Sequence, residues 1–127
     1  MARAETEFSH VNVAVLWGVL SSPPRSRELP SGATLTLLEV TTRLADGGVT
    51  VPVVVADAGR DVAALAAGDA VVVVGRVVRR YFRVGGATQS RTEVVAERVA
   101  PATRRQAVER ALKRAAVLLG AARVGVG

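Results

Sequence analysis

Six residues near the middle of the chain carry its plainest chemistry: Arg76, Arg79, Arg80, Tyr81, Phe82 and Arg83. Guanidinium groups bind phosphate oxygens in pairs, and an aromatic ring among them offers a flat surface to a base. Such a set suits a single-stranded nucleic acid, with the ring stacked on a base and the arginines on phosphates. No acid lies from Ala70 to Thr92, and Arg91 extends the cationic stretch. Arg25 and Arg27 form a second group in a proline-rich segment, and Arg43 completes the candidate set. A different reading stands beside this one. Tyr81 and Phe82 also suit packing at the end of a core or at a subunit interface. The arginines also suit a solvated hairpin paired in part with Glu93.

Catalysis finds little footing. The chain has no cysteine and a single histidine, His10. That removes disulfides, thiolate metal sites and the common nucleophile–base pairs. Asp57, Asp61 and Asp69 are the only close acids, and the last two fit a helix start and a turn. Gly85-Gly86 is followed by neither a GK[ST] sequence nor a helix, so it is no phosphate loop. A non-catalytic protein without metal or cofactor is expected.

The 127 residues allow one domain and a short appendage, and half of them are hydrophobic. Aromatics are few, so the core must be built from Val, Leu and Ala. The net charge is +6. Most of it sits after residue 100, where six basic residues face Glu109 alone. No signal peptide is visible and no apolar stretch is long enough to cross a membrane. A soluble cytoplasmic protein, associated with the nucleoid and not with membrane, is expected.

These side chains must be held by a strand. Residues 68–83, GDAVVVVGRVVRRYFR, run from a turn through four valines to the cationic stretch. The valines read as a buried strand, and Gly75 as a bulge or a close backbone approach. Along such a strand Arg76, Arg80 and Phe82 share one face and Arg79, Tyr81 and Arg83 the other. Other strands are expected at 8–21, 33–44, 49–56 and 87–100. Gly18 bends the first strand, and Trp17 beside it reads as core or interface. Pro52 makes the third an edge strand or one with an incomplete hydrogen-bond ladder. Residues 21–32 read as a loop and 46–48 as a hairpin turn. A short helix is expected at 59–67, closed by Gly68.

Thr103 and Gln106 suggest a capping box for an amphipathic helix at 104–119, closed by Gly120, before a glycine-rich tail. That helix packs on the body or across an interface, lies on nucleic acid through Arg104, Arg105, Arg110 and Arg114, or meets an acidic partner or membrane surface. The expected architecture is all-β with minor α. It is a five-stranded OB-fold barrel with a short helix between strands 3 and 4 and a C-terminal amphipathic helix. Residues 1–100 form the OB-fold domain and 101–127 the basic helix and tail.

At this point the sequence resembles the bacterial single-stranded DNA-binding protein family. Residues 12–20, NVAVLWGVL, are similar to its first strand. Pro24-Arg-Ser-Arg27 followed by Pro30-Ser-Gly32 resembles its first loop. Leu65-Ala-Ala-Gly68, then Val71–Val74 with Gly75-Arg76, resembles its helix end and fourth strand, and Thr92-Glu-Val-Val95 its last. The resemblance spans residues 12–99. It implies an OB-fold tetramer or dimer that coats single-stranded DNA in replication, repair or recombination. By the same resemblance Phe82 stacks on a base, and Arg80 and Arg27 hold the strand. The chain departs from the family in three places. Val19 stands where a basic residue often follows the first-strand glycine. Residues 37–44 and 49–56 carry no aromatic, and a basic helix stands where the family has an acidic tail that recruits partners. An OB-fold module working through protein contacts is the alternative.

Overall fold

The valine run decides the architecture. Val71 and Val73 point to one side of their strand, Val72 and Val74 to the other, and all four are buried. Two apolar layers must therefore meet at one strand. A computed structural model of the chain describes residues 10–124 and contains both layers.

The chain is mostly strand, with a short helix and a long one among the described residues. In order it forms β1 (Ala14–Leu20), β2 (Arg25–Glu28), β3 (Thr34–Leu44), β4 (Gly47–Ala56), α1 (Arg60–Ala63), β5 (Ala70–Val84), β6 (Ala87–Pro101) and α2 (Arg105–Val124). The six strands form one sheet in the order β1-β5-β6-β4-β3-β2. β1 also pairs with β3, at Val19↔Thr41 and Leu20↔Val40. β4 and β6 run parallel at Val53↔Val94 and Val54↔Val95, and the other neighbours are antiparallel.

Inside the curled sheet, Leu20, Leu38, Val40, Val53, Val71, Val73 and Val94 form the first layer, joined by Val62 of α1. On the outside, α2 lays Val108, Ala111 and Ala115 over Val72, Val74 and Ala100. Burying one valine contributes about 1.5–3 kcal/mol, whereas an exposed ion pair contributes at most about 1. The helix is thus held by its apolar stripe more than by the Arg114–Glu97 pair on its flank.

Several expectations need correction. The segment 21–32 is not all loop: Arg25–Glu28 is a strand on β3, and all four of its residues are exposed. The count is six strands, not five. α1 is helical over Arg60–Ala63 rather than 59–67. The Ala64 and Leu65 N–H groups still donate back to Arg60 and Val62, but the Ala66 N–H donates to the Asp69 carboxylate at 2.8 Å and the Gly68 N–H to the Leu20 carbonyl at 2.7 Å. α2 starts at Arg105, because the first helical bond runs from the Val108 N–H to the Arg104 carbonyl and makes Arg104 the cap residue. Thr103 is therefore outside the cap position. Gly120 does not close α2, which continues to Val124. One glycine costs a helix only about 1 kcal/mol, and the residues around it are good helix formers. The expected strand start, residues 8 and 9, and the last three tail residues lie outside the described residues.

β1 begins where Ala14 faces Gly75. Beyond it, the Asn12 side chain takes over the pairing. Its Nδ2 donates to the Val77 carbonyl at 2.7 Å, and the Val77 N–H donates to its Oδ1 at 2.9 Å. Each such bond contributes about 0.5–1.5 kcal/mol net. Asn12→Ala is expected to cost about 1–2 kcal/mol. Hydrogen exchange at the Val77 amide checks this, because that amide loses its acceptor.

Candidate nucleic-acid interface

The alternation of β3 divides the sheet into faces. Thr36, Leu38 and Val40 are buried inward, so Leu35, Leu37, Glu39, Thr41 and Arg43 face outward. Register carries that outer face from strand to strand. Arg25 pairs with Leu37, Leu37 with Val54, Val54 with Val95 and Val95 with Arg76. Arg25 and Arg76 thus close the two ends of one transverse row. Four strand spacings separate them, about 19 Å along the curved sheet. Arg27, opposite Leu35, starts a neighbouring row.

The long β5–β6 hairpin continues this face. Arg76, Arg80 and Phe82 lie on it, opposite Val95, Arg91 and Gln89. Arg79, Tyr81 and Arg83 take the other face, opposite Thr92, Ser90 and Thr88. Phe82 is 38% exposed and Tyr81 68%. The outer face therefore gathers Arg25, Arg27, Arg43, Arg76, Arg80, Arg91 and Phe82 around an apolar floor of Leu35, Leu37, Pro52 and Val54. The other three candidates are brought to the hairpin but not to that floor.

Two acids temper the charge. Arg80 and Arg91 are directly opposed, a like-charge pair that is unfavourable across strands. Glu93, 4% exposed, relieves it: its carboxylate lies 3.0 Å from Arg80 Nη2 and 3.9 Å from Arg91 Nε. Glu39 sits 3.8 Å from Arg91 Nη2. Arg25, Arg27, Arg43 and Arg76 form no ion pair among the described residues. On the opposite face Arg79 donates to Ser90 Oγ at 3.0 Å, and Arg83 donates to the Gly86 carbonyl at 2.7 Å across the hairpin tip. Both guanidinium groups are thereby oriented while keeping free N–H groups.

Sequence reasoning gave Glu93 only a pairing role and gave Glu39 none. The signal was present in the alternation of residues 34–44, which puts Glu39 on the face of Arg43. Trp17 is not in the core. It is 57% exposed, in a row with the exposed Val15 and Val19 on the outside of β1. Among known proteins, no family model and no curated sequence matches the chain.

Proposed function

We propose that the chain is an OB-fold barrel that binds single-stranded DNA on the outer face of its sheet, without catalysis. The circuit of pairings supports the barrel. Leaving β2 aside, it runs β1-β5-β6-β4-β3 and returns to β1, with one parallel contact and α1 between β4 and β5. β2 is then an addition within the first loop. The observation that carries the function is the register, which groups six arginines and Phe82 over an apolar floor against two glutamates.

With one ring on that face, base stacking contributes little beyond about 1–3 kcal/mol, and phosphate contacts carry the affinity. Four arginines without ion pairs among the described residues give an expected slope of about −3 in log K against log salt, at about 0.7 per phosphate. Fluorescence anisotropy with labelled oligo-dT and an equal-length duplex tests this. Tight, salt-dependent binding to the single strand alone is expected. Equal weak binding to both, or none, overturns the reading. Roles in replication, repair or recombination in the cytoplasm belong to the same proposal.

Glu93→Gln provides an internal check. It removes the charge that neutralises Arg80 and Arg91, so oligo-dT affinity is expected to rise several-fold and the salt slope to steepen by about 0.7. Stability is expected to fall by about 1–2 kcal/mol, read from urea unfolding, because the opposed arginines lose their counter-ion.

Self-association, as a dimer or tetramer, is part of the proposal. β1 pairs with β5 from Ala14 to Val19 but with β3 only at Val19 and Leu20, so the rest of its second edge is left without a strand among the described residues. The exposed outer row of β1, Val15, Trp17 and Val19, is a further basis. Exposed Leu112 and Leu119 lie on the flank of α2 away from Arg114 and β6, hence towards β1. The same row favours a second reading, a module acting through protein contacts alone. Phe82→Ala separates them. Oligo-dT binding weakened about fivefold or more, with an unchanged sedimentation coefficient, supports the DNA reading.

A further inference from the structure

The outer face does not stop at Arg76. Beside it a cleft of about 380 Å³ opens between β5, β6 and the C-terminal half of α2. This is within the range of small-ligand sites, about 300–1,000 Å³. Val95, Ala96 and Leu118 line it with apolar surface, and Gly75 presents bare backbone.

Its three polar side chains differ in freedom. Glu97 accepts a hydrogen bond from Arg114 at Oε1, which leaves its other oxygen open. Asn12 is fixed by its two bonds to Val77, which leave one N–H and lone-pair capacity on its oxygen. Arg76 is exposed and forms no ion pair among the described residues. An apolar slot with a fixed donor and acceptor at its edge matches a planar heterocycle. A free guanidinium beside it matches the phosphate that such a heterocycle carries in a nucleotide. The transverse row from Arg25 through Leu37, Val54 and Val95 ends on this same Arg76.

We propose that the cleft takes one base of the bound strand, with Arg76 on the neighbouring phosphate. α2 is then a wall of the nucleic-acid site as well as the cover of Val72 and Val74. The proposal rests on the single-stranded DNA reading, and it adds a base contact to a face otherwise ruled by phosphates.

The test is amide NMR on the full chain, titrated with oligo-dT and with a base-free deoxyribose-phosphate chain of equal length. Both are expected to shift amides of Arg25, Arg27 and Arg80, and only oligo-dT those of Asn12, Ala96, Glu97 and Leu118. Leu118→Trp, which fills the cleft, is expected to weaken oligo-dT about fivefold or more and leave the base-free chain unchanged. The wild-type comparison decides the matter even where that variant fails to fold. Shifts on the arginine face without shifts in the cleft overturn the cleft alone. Equal cleft shifts with the base-free chain overturn the base contact. No shifts with either chain overturn the DNA reading and the cleft with it.

Discussion

Replacing Arg25, Arg27 and Arg76 together by glutamine is expected to lower oligo-dT affinity about hundredfold at 0.1 M salt. Each phosphate contact adds about 0.7 to the salt slope, which amounts to about 0.7 log units of affinity at that concentration. Three contacts give about two log units, and the slope flattens by about two. Anisotropy titrations at several salt concentrations read both numbers. These three arginines suit the experiment because none has an ion-pair partner among the described residues, so the urea midpoint is expected to stay nearly unchanged. Arg80→Gln with Arg91→Gln behaves differently. It strips the buried Glu93 carboxylate of both its cations, and a destabilised fold is expected alongside any loss of binding. Arg60→Gln, on α1 rather than on the sheet, is expected to leave the slope unchanged. A triple variant with the wild-type slope would rule the outer face out as the phosphate track.

Much of that site is legible from alternation alone. Arg76, Arg80 and Phe82 share a face because successive strand residues point opposite ways, and β5 keeps that rhythm past the bulge in β6. What alternation cannot supply is which strands lie side by side. Arg25 and Arg76 are 51 positions apart and meet one face only through three intervening strands. β2 was hidden for a related reason. Its residues, Arg-Ser-Arg-Glu, show no apolar alternation, and their extended form comes from pairing with β3 rather than from burial. Strict alternation also fails midway along β6. Glu93 and Val95 point outward, yet Val99 packs on the inner layer, because Glu97 is the extra residue opposite Val74 and Gly75. A period of two read straight through residues 92–99 misses that shift.

The bulge that breaks the period also sets the costliest substitution expected in the fold. A Cβ added at Gly75 would lie 2.1 Å from the Val95 carbonyl oxygen and 2.8 Å from the Ala96 Cα. Both are backbone atoms of β6, so no side-chain rotation relieves the contact. The strands must separate just where the hairpin leaves the body. Overpacking against movable side chains costs about 1–3 kcal/mol, so Gly75→Ala is expected to cost about 3 kcal/mol or more. Gly18 has the matching role across the sheet, where its Cβ would meet the Thr41 carbonyl oxygen at 2.3 Å. That contact adjoins the two residue pairs joining β1 to β3, so Gly18→Ala is expected to open the circuit of strands there. Gly85 is the control: its φ is +57° and nothing lies within 4 Å, so alanine there is expected to cost only about 1 kcal/mol, through backbone strain. Urea unfolding followed by circular dichroism ranks the three. If Gly75→Ala proves no costlier than Gly85→Ala, the bulge yields freely, and the hairpin holding Arg80, Phe82 and Arg91 is not rigidly aimed at the outer face.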